Sequence, residues 1–107
     1  MALASVSFEI DFTIDKTSRS RKAALSSLAQ RIGSCRPEIS AHDISNCLLA
    51  REKLGSTAIG CGVAAPHTIF QQSCPPLVQV TLLKYAIDFD ASDATPVDVL
   101  LSVVGNR

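Results

Sequence analysis

The segment Arg51–His67, REKLGSTAIGCGVAAPH, decides how this chain is built, because the backbone changes regime three times within it. A helical stripe of Ile44, Cys47, Leu48 and Leu54 runs into it. Arg51 sits toward the last helical turn, where the negative helix end favours a cation, and Gly55 closes the helix. Gly60 and Gly62 mark backbone that must bend or be approached closely. Val63–Ala65 then reads as a short buried extended segment ending at Pro66, so His67 falls at a strand end or in a turn. Before this segment the chain is mostly helical, and after it the chain is β.

Toward the N-terminus, Val6, Phe8, Ile10 and Phe12 occupy every second position, the pattern of a half-buried strand. Thr17 or Ser18 can cap a first helix over about Ser18–Ile32, with Leu25, Leu28 and Ile32 on its buried face and Gly33 as its stop. Ser40, backed by Asp43, caps the second helix. Toward the C-terminus, Leu77–Leu83 alternates as a strand, Ala86–Phe89 adds a short one, and DASDATP is a loop. Val97–Val104 is a nearly continuous apolar run suited to a strand buried on both faces. This order predicts an α/β fold, a mixed sheet with helices packed on it, in a single domain over residues 1–107. Two helices are few for both faces of such a sheet, so either the fold is compact in a way this pattern does not reveal, or an element is absent or supplied by another subunit.

The chain has 107 residues and is 47% hydrophobic, enough to bury a core. Ten basic and ten acidic residues cancel, so nothing supports binding to nucleic acid or an anionic membrane. No leader pattern opens the sequence and no apolar run is long enough to insert in a membrane, so a cytoplasmic location with reduced thiols is expected. Cys35, Cys47, Cys61 and Cys74 are spaced too widely for a paired metal motif and read as packing residues. No metal and no cofactor are expected.

His42 falls in the first turn of the second helix and carries no role. His67, after a proline and among small residues, is better placed. An imidazole can be a general base, a metal ligand or a nucleophile. The first needs an orienting acid, and the second needs more ligands than Cys61 six residues away. The third needs least, because a neutral ring nitrogen attacks a phosphoryl group without prior deprotonation, given positioning and a cation. Arg51, Ser56, Thr57 and Thr68 could supply those surroundings.

REKLGSTAIGCGVAAPH resembles the active-site region of phosphotransferase-system enzyme IIA domains of the fructose, mannitol and nitrogen-regulatory type. In that family a helix ends in Arg-Glu, Ser-Thr and a glycine-rich turn follow, and an apolar-Pro-His tripeptide presents the phosphorylated histidine. SRSRKAALSSLAQRI, ISAHDISNCLLAREKLGS and IDFDASDATPVDVLLSVVG resemble its first helix, second helix and later strand-loop-strand. The resemblance implies an enzyme IIA (fructose/mannitol type)-like fold. It implies that His67 accepts a phosphoryl group from a histidine phosphocarrier protein, with Arg51 holding phosphoryl oxygens. The group would pass to an enzyme IIB or serve regulation through a target protein; a non-catalytic regulatory module that retains the fold is the alternative. Family members commonly carry Asn at the position of Cys61, a larger apolar residue at Ala65 and Gly at Thr68. They continue past the equivalent of Val104 with a further histidine and two helices that cover the sheet, so this domain is expected to be C-terminally short. An exposed sheet face would favour a homo-oligomer.

Overall fold

The structure, a computed structural model, describes residues 8–70 and 75–106; Val6 and Cys74 lie outside them. Strand β1 spans Glu9–Asp15, helices α1 and α2 span Arg21–Cys35 and Ala41–Leu54, and short strands β2, β3 and β4 span Ala58–Gly60, Val63–Ala64 and His67–Phe70. Strands β5, Leu77–Ile87, and β6, Val97–Asn106, complete the set. The sheet runs β1-β5-β6-β3-β2. One edge of β6 pairs antiparallel with β5, and the other is shared by β3 and β4, both parallel to β6. The sheet is mixed, as expected, since β1 is parallel to β5 and β2 antiparallel to β3.

Helix α1 starts three residues later than its pattern predicts. Asp15 takes the polar groups of the would-be cap: its carboxylate accepts from the Thr17 and Ser18 backbone N–H groups at 3.1 and 3.0 Å and from the Ser18 hydroxyl at 2.7 Å. Ser20 therefore becomes the cap, accepting from the Ala23 N–H at 3.1 Å. Gly33 does not stop α1 but lies inside it, where a Cβ would come within 3.1 Å of the Ala41 Cβ. Its smallness lets the start of α2 approach, and α1 continues to Cys35.

Helix α2 begins at its expected Ser40 cap and ends at Gly55. Ile44 and Leu48 are buried as expected, but Cys47 and Leu54 are exposed and Glu52 is buried in their place. Residues 44, 48 and 52 follow one line along the helix, whereas 47 and 54 lie roughly 100–120° around it from Leu48. Strand β5 unites the two expected segments, with a register irregularity against β6 between Leu82 and Ile87.

The core fills one side of the sheet. Ala24, Leu25, Leu28 and Ile32 of α1 and Ile44 and Leu48 of α2 meet Leu77, Leu83, Leu100 and Val104. Each buried aliphatic side chain contributes about 1.5–3 kcal/mol relative to exposure. Strand alternation gives the two faces different characters. On the helix side, Asp11, Gln79 and Ser102 stand in register across β1, β5 and β6. The Gln79 amide donates to Asp11 at 2.9 Å, and Arg31 of α1 reaches Thr81 at 3.1 Å. On the other side lie the rows Ile10–Val78–Val103 and Phe12–Val80–Leu101. Among the described residues nothing covers this apolar side, and Phe12 is 61% and Leu101 40% exposed. The expected burial of β6 on both faces is therefore corrected to one face, because both helices pack on the same side. The apolar residues of β1 are likewise open, and its polar residues turn toward the helices.

Candidate functional site

The segment from α2 to β4 is fixed at successive points. At the helix end the Arg51 guanidinium donates to the Gly55 carbonyl at 2.8 Å, and the Gly55 N–H donates to Glu52 O. The next residues are tied back to the buried Glu52 carboxylate, which accepts from the Thr57 backbone N–H at 3.3 Å and from its hydroxyl at 2.7 Å. Arg21, at the start of α1, forms an ion pair with the same carboxylate at 3.5 Å. Ser56 donates its hydroxyl to the Phe89 carbonyl and accepts from the Ala58 N–H.

The β2–β3 turn comprises Gly60, Cys61 and Gly62, with φ of 99°, 56° and 82°. Three successive left-handed residues explain the two glycines, since a side chain costs about 1–2 kcal/mol there. Gly62 is also needed for space: a Cβ would lie 3.1 Å from Asp98 Oδ1. The turn is held by Asp93, whose carboxylate accepts from the Cys61 N–H at 2.8 Å and the Thr95 N–H at 3.0 Å. The Cys61 and Thr95 bonds hold the Asp93 carboxyl below its ordinary pKa. The Cys61 side chain is exposed.

Ala65 donates its N–H to the Thr57 carbonyl at 2.9 Å, which joins the Glu52–Thr57 clamp to the residue two before His67. His67 begins β4, in register with Val103. Its Nδ1 lies 3.2 Å from the Ala65 carbonyl, an atom that can only accept, so Nδ1 carries the hydrogen and the lone pair of the neutral ring resides on Nε2. The ring is exposed on the open side of the sheet, in line with Ile10, Val78 and Val103.

Helix α2, whose last turn carries Arg51 and leads into the Ser56–Thr57 turn, packs against β4, the strand that His67 begins. Thr68 is 8% exposed and points to the helix side, the opposite side from His67. The guanidinium of Arg51 bonds Gly55 rather than the ring. Glu52 entered the sequence reading only as the second residue of the Arg-Glu pair, with no role, and Asp93 did not figure in it. Glu52 carried one usable signal, its four-residue spacing from Leu48 and Ile44; for Asp93 the signal was its position two residues before Thr95, the spacing of an Asx turn. Among the described residues no group of three or more His, Cys, Asp and Glu is arranged to hold a metal ion, and no helix is long and apolar enough to cross a membrane.

This arrangement can be compared with known proteins. The chain is 42% identical over 81 residues to a nitrogen regulatory protein of Pseudomonas aeruginosa, covering 76% of this chain and 53% of that protein. It is 38% identical over 90 residues to a nitrogen regulatory protein of Escherichia coli strain K12, covering 80% and 53%. It therefore spans about half the length of these curated relatives. The crystal structure of nitrogen regulatory protein IIA-Ntr from Neisseria meningitidis superposes with a TM-score of 0.78 at 27% identity, covering 89% of this chain and 65% of that one. Residues 8–107 match the family model described as phosphoenolpyruvate-dependent sugar phosphotransferase system, EIIA 2. With the fold and the sequence of its site agreeing, this chain belongs to the EIIA 2 family of the phosphotransferase system.

Proposed function

We propose that this domain is a phosphoryl carrier that accepts phosphate on Nε2 of His67 from a histidine phosphocarrier protein in the cytoplasm. The observation that supports this reading is the Nδ1–H bond to the Ala65 carbonyl, which leaves Nε2 unprotonated on an exposed ring anchored to a strand. In the transfer, the donor's N–P bond breaks as the Nε2–P bond forms. The donor imidazole leaves as a neutral base, and His67 keeps its Nδ1 hydrogen. Arg51, in the last turn of α2, would exchange Gly55 for the phosphoryl oxygens. Ser56 and Thr57 have hydroxyls committed to Phe89 and Glu52, and Thr68 faces the core, so we assign these three to shaping the site rather than to binding phosphate. The names of the relatives favour passing the signal to a regulatory target over handing the group to an enzyme IIB for sugar uptake.

The test is incubation with phosphoenolpyruvate, enzyme I and the phosphocarrier protein, followed by intact mass at neutral to alkaline pH. One acid-labile phosphoryl group that disappears in His67→Ala is expected, and Arg51→Ala should slow its appearance about a hundredfold. No adduct, or one that survives His67→Ala, would reject the proposal. The second reading, a regulatory module that binds its partner without phosphorylation, rests on the same names; capture of a partner unaffected by His67→Ala would favour it.

A further inference from the structure

The helix side of the sheet holds a cavity of about 380 Å³ between the first turn of α1 and the end of α2, lined by Arg21, Lys22, Leu49, Glu52 and Lys53. Its walls are two helices of the chain itself, and it lies across the sheet from the exposed ring of His67. The volume is at the small end of small-molecule sites, which run from roughly 300 to 1,000 Å³.

Three cations meet one carboxylate there, and that carboxylate is already engaged. Glu52 is 5% exposed, accepts from Thr57 through both oxygens and stands 3.5 Å from Arg21. Among the described residues Lys22 and Lys53 form no ion pair, so two positive charges of the wall are unmatched. Local helix energetics do not account for this placement. Arg21 and Lys22 occupy the first turn of α1, where the positive helix end disfavours them, and no acidic residue shares that turn. Lys53, in the last turn of α2, is where the dipole favours a cation and gives no such signal. The Arg21 guanidinium also lies 5.6 Å over the ring of the buried Phe89, which backs it while a third of its side chain stays open.

We propose that this cavity binds a small organic phosphate monoester, with its dianion on Arg21, Lys22 and Lys53 and its carbon skeleton against Leu49. A phosphate dianion matches the two unmatched charges and offers three strong acceptor oxygens, one for each cation. A guanidinium fork and the start of a helix both suit that group. A single carboxylate brings half the charge. Inorganic phosphate would leave most of the volume open and Leu49 without a partner, so an organic portion is required. A polyanion fits less well, because the chain as a whole carries no net charge. The site is separate from His67 and does not depend on the phosphoryl-carrier reading.

The experiment is a backbone amide NMR titration of the 107-residue chain with phenyl phosphate, inorganic phosphate and succinate, with no phosphoryl donor present. It is run at about pH 7.5, above the second phosphate pKa of roughly 6. Phenyl phosphate should give saturating shifts at Arg21, Lys22 and Lys53 with a dissociation constant at or below about 1 mM, and the other two probes should bind about tenfold more weakly. Lys22→Glu should weaken phenyl phosphate binding by about tenfold or more. The same variant should melt no lower than the wild type, since a glutamate suits the first turn of a helix. Lys53→Ala is the second probe, and circular dichroism reports whether each variant is folded. No saturating shift by about 10 mM phenyl phosphate, or shifts gathered around His67 instead, overturns the proposal. So does binding indifferent to both Lys22→Glu and Lys53→Ala. Inorganic phosphate or succinate binding as tightly as phenyl phosphate overturns the assigned ligand class. Failure of His67 to accept phosphate would leave these titrations unchanged, so the two readings fail separately.

Discussion

Replacing Glu52 by alanine tests the clamp that positions the site. The carboxylate is 5% exposed and accepts both polar hydrogens of Thr57, itself buried. Without it, the Thr57 N–H is left in the interior with no acceptor, at about 1–3 kcal/mol. The hydroxyl can rotate toward another oxygen, so its loss costs about 1 kcal/mol. The Arg21 pair adds little, about 0–1 kcal/mol, because Arg21 is one-third exposed and the separation is 3.5 Å. Glu52→Ala should therefore destabilise the fold by about 2–5 kcal/mol, a large part of the roughly 5–15 kcal/mol of a whole domain. Glu52→Gln should cost only about 1 kcal/mol, since its amide oxygen accepts from the Thr57 N–H while its NH₂ donates to the hydroxyl. Urea unfolding followed by circular dichroism measures both. Because Thr57 in turn holds Ala65, and Ala65 holds His67, the imidazole ¹⁵N shifts of Glu52→Ala should move from one tautomer toward a mixture. Equal costs for the two variants, or an alanine variant within about 0.5 kcal/mol of the wild type, would refute the clamp.

Two further outcomes follow from local geometry. Burial acts to raise the Asp15 pKa, but the Ser18 hydroxyl and backbone bonds, with help from Thr17 and Arg31, outweigh it and hold the carboxyl below its ordinary value. The folded pKa is thus lower than the unfolded one. The stabilisation is complete above the unfolded value and fades as pH falls through the folded one, so the stability gap between wild type and Asp15→Asn should close below about pH 4. A gap constant with pH in chemical denaturation would contradict this. At the β2–β3 turn, Cys61→Asn should stabilise by about 0.5–1 kcal/mol, because Asn tolerates φ near +56° better than Cys. Gly62→Ala should destabilise by about 1–2 kcal/mol or more, from its φ of 82° and the Asp98 contact; thermal melts of the pair should move in opposite directions.

Much of this architecture was legible in the sequence because periodicity and caps are local signals. Ser40 and Gly55 bound α2 where expected, and the alternation of Leu77–Leu83 identified its two faces. What alternation cannot say is which face a helix will cover. In β1 the apolar positions face away from the helices, and in β6 an unbroken apolar run serves one covered and one open face. The start of α1 was misread because the competing acceptor, Asp15, belongs to the preceding strand and reaches forward two and three residues. In the site, His67 and the glycine turn stood out as residue types, and the helix position of Arg51 followed from Gly55. Glu52 was hidden because a glutamate reads as solvent-facing until its acceptors are matched with Thr57, and the role of Asp93 depends on a contact 32 residues away in sequence.

Strand β6 holds β3 at Val99 and Leu100 and then β4 from Val103 onward, with Ala65 and Pro66 bridging the interval. His67 therefore belongs to the sheet's ladder and not to a swinging loop. A visitor meets a ring whose place is already set, so little ordering entropy is lost on arrival. By the same token, adding a group to that ring has no hinge to pull, and any protein able to tell the two forms apart must sense the local field directly.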